Sequence, residues 1–211
     1  MDMNIREIYR DENVLVVHKP QGIETASEEN NNTLEKKLGV IAVHRLDVNT
    51  EGLVIFALNQ KTKDELELAF KNNLVDKTYQ ALCFGMLKIS PLTLKGYLVK
   101  DARSGKVKIT KEKDHPMAKP VKTVIKFLRP AGDFNLFEIK PMTGRTHQIR
   151  AHLGSIGLSI VGDAKYGDFN MNRMYNIKKQ CLCATELKFN LPQVSPLYYL
   201  NRKNFVTKPS F

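Results

Sequence analysis

Apolar residues along this chain gather mostly in short unbroken runs, the pattern of buried strands, and only twice recur at helical spacing. Residues 14–17 and 53–58 are such runs, rich in β-branched or large side chains and ending near polar or turn residues, so both read as buried strands. Further strands are predicted at 78–84, 121–127, 136–140 and 182–189. Thr62 followed by Glu65 forms a capping-box pattern ahead of Leu66, Ala69 and Phe70, which share one helical face. A second helix is predicted to begin at Thr146, to bury Ile149, Leu153 and Ile156, and to stop at Gly157. Strands outnumber helices, which predicts an α+β fold with a large mixed, mainly antiparallel sheet flanked by helices and loops. No Gly/Ser or Pro-rich linker and no repeat divides the sequence, so residues 1–211 are expected to form a single domain.

Composition narrows the setting. A chain of 211 residues buries roughly 70% of its unfolded surface, and 42% hydrophobic with 26% charged residues is ordinary for a globular protein. The longest apolar run, 53–58, is too short to cross a bilayer, and residues 1–10 lack the apolar region of a signal peptide, so a cytoplasmic protein without a membrane partner is expected. Cys83, Cys181 and Cys183 form no CxxC pair, which points to reduced thiols rather than a disulfide framework or structural zinc. The net charge of +11 is skewed: residues 1–76 hold 9 basic and 14 acidic side chains, residues 77–211 hold 24 and 8. That asymmetry favours a polyanionic partner, a nucleic acid or a membrane surface. Residues 95–129, with 11 basic and three acidic side chains, are the candidate for following a nucleic-acid backbone.

Two polar clusters carry candidate chemistry. His44, Arg45, Asp47 and Thr50 fall within seven residues just ahead of the 53–58 strand, the position of a loop on a rigid support. Asp47 there is either a reactive carboxylate or a turn residue capping backbone amides. The second cluster, residues 144–150, contains Arg145 and Thr146 at a predicted helix start, where free amides and a forked guanidinium suit an anion. A surface arginine without a fixed partner is the plain alternative. Tyr79 stands early in a strand, either as core or as a platform for a base. A metal site built on His44, Asp47, His147 and His152 is disfavoured, because His147 and His152 are five residues apart and do not share a helix face.

Taken in order, these clusters resemble the RluA-type family of RNA pseudouridine synthases, named for an enzyme that modifies large-subunit ribosomal RNA, over nearly the whole chain. Residues 14–22 look like its first strand and Lys-Pro-x-Gly turn, and residues 44–52 resemble its H-R-L-D-x-x-T-S/T-G signature. Lys77, Tyr79, Ala81 and Gly85 fit its K-x-Y-x-A segment, residues 144–150 its G-R-T/S-H-Q-L/I-R motif, and residues 162–167 its G-D-x-x-Y-G motif. Five ordered motifs are far more specific than any one of them.

The resemblance implies a pseudouridine synthase fold and an isomerase acting on ribosomal or transfer RNA, at a stem-loop. Asp47 would be the catalytic carboxylate, Tyr79 the ring that packs on the target base and assists its proton, and Arg145 the ion-pair partner of Asp47. Arg45 would enter the RNA near the vacated stack, Ile149 would line the pocket, and His44, Lys77 and Thr146 would complete the substrate-binding set. Breaking the C1′–N1 bond, turning the uracil and joining C1′ to C5 involves no redox step, so no cofactor and no metal is expected. The carboxylate either adds to C1′ or removes a ribose proton on a glycal route. A stacked uridine must first be extruded, which favours loops and bulges. The competing reading is a non-catalytic RNA-binding or RNA-folding protein on the same architecture. Two residues depart from the family pattern: Glu51 replaces its serine or threonine, and Cys183 stands where many relatives have histidine. No S4-type RNA-binding domain is expected, nor an obligate protein partner; a monomer suffices.

Overall fold

The computed structural model describes residues 5–101, 105–113 and 115–211. Residues 1–4 of the segment read for a signal peptide, and Ala102–Ser104 and Asp114 of the basic stretch, lie outside the described residues. In chain order the strands are β1 Arg6–Arg10, β2 Val14–Lys19, β3 Ile41–Ala42, β4 Glu51–Ala57, β5 Val75–Cys83, β6 Leu92–Lys100, β7 Val107–Thr110, β8 Lys119–Ala131, β9 Phe134–Pro141, β10 Leu182–Phe189 and β11 Phe205–Val206. The helices are α1 Leu34–Leu38, α2 Gln60–Lys71, α3 Gln148–Ser155 and α4 Phe169–Met174, with a short 3-10 turn at Tyr198–Arg202. This is the expected α+β composition, and no helix among the described residues is long and apolar enough to cross a membrane. The residues group into two compact units, 1–77 with 183–211, and 78–182.

In the first unit, β2 lies between β1 and β4 in antiparallel pairing, and β4 pairs β10 in parallel, so the sheet is mixed. β4 is buried along its whole length because it has neighbours on both sides and apolar side chains on both faces. Val14, Val16, Leu53 and Ile55 from one face pack with Leu66 and Ala69 of α2. The cap of α2 differs from the predicted one. Asn59, not Thr62, takes the position, its side chain accepting from the Thr62 N–H at 2.9 Å, while Thr62 is buried inside the first turn. Asn59 comes immediately after the chain leaves β4, so it meets the free amides first.

The second unit is an antiparallel sheet in the order β5, β9, β8, β6, β7. α3 covers one face, where Ile149 and Leu153 join Ile125, Phe137 and Ile139. The helix begins at Gln148 rather than Thr146, because His147 adopts φ 54°, a left-handed conformation outside the helix. It ends as predicted near Gly157, whose φ of 77° reverses the chain. Ile156 is 40% exposed, contrary to the predicted apolar face, and Leu158 replaces it in the core at 2%. The left-handed reversal brings Leu158 back over the last turn, with its N–H on the Leu153 carbonyl at 3.0 Å.

Candidate active site

The loop holding Asp47 is anchored from beneath by the turn that follows β2. Lys19 is fully buried and donates to the carbonyls of Pro20 at 2.9 Å, Ile23 at 3.0 Å and Val48 at 3.1 Å. An ammonium has three donors, so all of them are occupied. The Gly22 N–H adds a bond to the Val48 carbonyl at 2.9 Å. One residue before Asp47, Leu46 is buried, and its N–H and carbonyl are both bonded to the Thr25 hydroxyl at 3.1 and 3.2 Å. The Asp47 carbonyl closes a turn by accepting from the Thr50 N–H at 3.0 Å. Asp47 is therefore half-buried on a backbone gripped on both sides. Burial lowers the Lys19 ammonium to a pKa of about 8, while the carboxylates of Asp47 and Glu51 pull it upward.

Three further sequence candidates share this unit. Arg45 is exposed next to buried Leu46. The His44 ring is stacked on Phe70 with centroids 4.5 Å apart, and its Nε2 accepts the Ile55 N–H at 3.0 Å. Burial, and then the positive charge of Lys77, lower its pKa to about 3, so the ring is neutral and supports the loop rather than carrying charge. Lys77 lies over the same Phe70 ring, 5.7 Å from its centroid. The structure thus brings His44 and Lys77 together around one phenyl group.

The two departures from the family pattern turn out to be neighbours. Cys183 on β10 is the direct register partner of Glu51 on β4, and both are buried. Burial and then the Glu51 charge push the Cys183 thiol upward, away from thiolate. Glu51 is not left unpaired: it accepts from the Ser210 N–H at 2.8 Å and hydroxyl at 2.7 Å, and His18 Nε2 stands 3.8 Å away. Burial raises its pKa, but the bonds from His18 and Ser210 outweigh that and leave it below the ordinary carboxylate value. The segment after β11 is tied down again at Thr207, which bonds Arg6 and, at 2.8 Å, His18. Gly52, next along β4, has φ 116°, and a Cβ there would meet the Ala184 carbonyl oxygen at 2.3 Å. Only glycine permits that approach of β4 to β10.

In the second unit, Tyr79 lies opposite Ile139 on the α3 side of the sheet and packs, half-buried, against the Ile125, Phe137 and Ile149 cluster. Arg145 and Thr146 are exposed just before α3, and Ile149 is buried at 7%. Gln148 secures that loop. Its Oε1 accepts from the Arg145 N–H at 3.2 Å and the Thr143 hydroxyl at 2.7 Å, and its Nε2 donates to the Lys122 carbonyl and Thr123 hydroxyl at 3.0 Å each. The Thr123 hydroxyl continues to His152 Nδ1 at 2.8 Å.

Arg150 makes two bonds to the Asp163 carboxylate, Nε to Oδ2 at 2.7 Å and Nη2 to Oδ1 at 2.9 Å, in a buried site. Burial raises the Asp163 pKa, yet Arg150 and the N–H groups of Tyr166 and Lys165 hold it below the ordinary value. Sequence reasoning had both residues in its motifs and missed that they join the G-R-T-H-Q-I-R and G-D-x-x-Y-G segments. The signal available was a pair of opposite charges flanking apolar positions in adjacent motifs.

Chemically, the first unit offers a carboxylate on an anchored loop, and the second a guanidinium on a loop held by Gln148 and a phenol on a strand packed against an apolar cluster. Comparison with known proteins gives a consistent result. The family model described as RNA pseudouridylate synthase matches residues 13–155. A chain of Mycoplasma pneumoniae named as an uncharacterized RNA pseudouridine synthase is 36% identical over 208 residues, covering 88% of this chain and 63% of that relative. This chain thus spans somewhat under two thirds of that relative's length. A chain of Haemophilus influenzae with the same kind of name is 31% identical, with 97% and 86% covered. Ribosomal large subunit pseudouridine synthase C of Rickettsia conorii is 35% identical, with 92% and 69% covered. Among solved structures, human RNA pseudouridylate synthase domain containing 1 superposes with a TM-score of 0.77 at 27% identity, covering 98% of this chain and 90% of that one.

Proposed function

This chain belongs to the RNA pseudouridylate synthase family, and from that membership we propose that it isomerises specific uridines to pseudouridine in structured RNA. The observation that carries the reading is Asp47 itself, a half-buried carboxylate on a loop fixed by Lys19, Gly22 and Thr25. Rigid support of this kind suits a group that must attack one sugar atom with little freedom to move.

In the proposed reaction the ionised Asp47 either adds to ribose C1′ as the N1 bond breaks or removes a ribose proton to give a glycal. On both routes uracil leaves and turns. C5 then bonds to C1′ as the Asp47–C1′ bond breaks, or adds to the glycal as the ribose takes its proton back, and the proton lost from C5 is matched by one gained at N1. Arg145 is the proposed ion-pair partner of the Asp47 carboxylate. Tyr79 stacks on the flipped base and assists its proton. Arg45 fills the space the nucleotide leaves, Ile149 lines the base pocket, and Thr146 and Lys77 steady the strand. His44 serves from beneath by holding the start of the loop. Residues 1–211 act as one catalytic domain in the cytoplasm.

The target we propose is large-subunit ribosomal RNA, on the strength of the name borne by the Rickettsia relative, ahead of a transfer RNA stem-loop. Mapping pseudouridines in total RNA from cells with and without this gene tests both levels. The expected result is loss of one or a few sites in large-subunit RNA. Loss confined to transfer RNA would move the target, and an unchanged map would overturn the activity.

A further inference from the structure

The basic stretch singled out in the sequence resolves, by strand register, into a defined surface. In β8 the odd positions Val121, Thr123 and Ile125 are buried toward α3, and the even positions Lys122 and Lys126 are exposed on the other side. Register carries this division across the sheet. Lys95 of β6 lies directly opposite Lys122, Lys140 of β9 opposite Val124, and Lys108 of β7 opposite Val99. All five lysines are exposed. They therefore share one sheet face, the reverse of the one on which Tyr79 packs. One carboxylate interrupts them: Glu138 lies opposite Lys126 and 3.8 Å from Lys140.

Such an arrangement works against the sheet. Like charges directly opposite on neighbouring strands destabilise the pairing, and Lys95 faces Lys122 in this way. At about 3.3 Å per residue, the lysine rows extend about 26 Å from Lys108 to Lys126, a reach that covers several nucleotides. Tyr97 stands on the same face, opposite Thr110. The unit carrying the face, residues 78–182, has 19 basic and 7 acidic side chains, whereas the other has 14 and 15.

We infer that this lysine face is a second RNA-binding surface, which holds the phosphate backbone of the substrate RNA beyond the nucleotide undergoing reaction. The inference rests on the proposed RNA substrate. It adds that the substrate must be an RNA large enough to reach both sides of this sheet, so an isolated short hairpin uses only one of them. A polyanion is the fitting occupant because it relieves the Lys95–Lys122 repulsion and sheds a condensed counterion for each of its phosphates that a lysine neutralises.

The test replaces Lys95, Lys122, Lys126 and Lys140 by glutamine in the full chain and measures binding and turnover with a folded ribosomal RNA fragment and with a short hairpin cut from it. For the fragment, the slope of log affinity against log salt should shrink by about 3, and KM should rise about 10- to 100-fold. Turnover at saturating RNA should stay within about twofold, since no lysine side chain here takes part in the candidate site and Lys122 lends it only its backbone, which glutamine keeps, and the hairpin should notice little. If the fourfold variant fails to fold, Lys95→Gln and Lys122→Gln taken singly should each reduce the slope by about 0.7 to 0.9. An unchanged slope and KM for the fragment would overturn the inference, as would equal losses on fragment and hairpin. Wild-type protein that makes no pseudouridine on either RNA would instead contradict the functional reading.

Discussion

Lys19 uses its three donors on the carbonyls of Pro20, Ile23 and Val48, so the loop of Asp47 is shaped by a cation that is itself screened from RNA. His44 plays a matching part at the other end of the loop, and its titration makes that part measurable. Its folded pKa of about 3 lies below the usual 6.5. Between those values the unfolded chain binds a proton that the folded chain refuses, so stability present above pH 6.5 is lost as pH falls through the window. Chemical denaturation at pH 6.5 and 4.5 should show the wild type losing about 1 to 2 kcal/mol more than His44→Gln. The glutamine side chain can still accept the Ile55 N–H but does not titrate. Parallel losses in the two proteins would mean that the His44 ring is accessible to protons.

At the scale of elements, the Arg150–Asp163 pair ties α3 to the segment that follows it. Asp163→Ala strands a buried guanidinium and should cost about 3 to 5 kcal/mol of unfolding free energy. Replacing both partners, as Arg150→Met with Asp163→Leu, should recover most of that loss; a double variant as unstable as the single one would show that the pair is not the source. Much of this level was legible beforehand. Residues 182–189 form a strand with the predicted bounds, and Gly157 ends α3 as expected. Periodicity reads buried runs well, and it missed β6 and β7 because lysines and half-buried residues alternate there without an unbroken apolar run. It also set Thr62 as the α2 cap, since Asn59 and Thr62 are both good caps and only the exit of β4 decides between them. Glu51 and Cys183 were visible as separate oddities. Their pairing depends on β4 and β10 meeting in parallel across more than a hundred residues, and the Ser210 bonds to Glu51 likewise come from afar; neither leaves a local trace. The motif residues Asp47, Tyr79 and Arg145 could be picked out from the sequence, whereas the buried bonds that hold the loops of Asp47 and Arg145 could not.

Across the whole molecule, charge divides unevenly between the two units, while the proposed catalytic residues fall in both: Asp47 in one, Tyr79 and Arg145 in the other. Residues 78–182 hold most of the excess positive charge, while Asp47 belongs to the near-neutral unit. On the proposed reading, RNA affinity and reactivity are altered separately: lysine changes should act on binding, and a change at Asp47 should act on the reaction. The most direct measurement compares wild type with Asp47→Asn on the same ribosomal RNA, quantifying pseudouridine formed per enzyme and RNA affinity side by side. Turnover should fall by about a thousandfold or more while affinity stays within about threefold. An asparagine variant that forms pseudouridine at the wild-type rate would contradict the account.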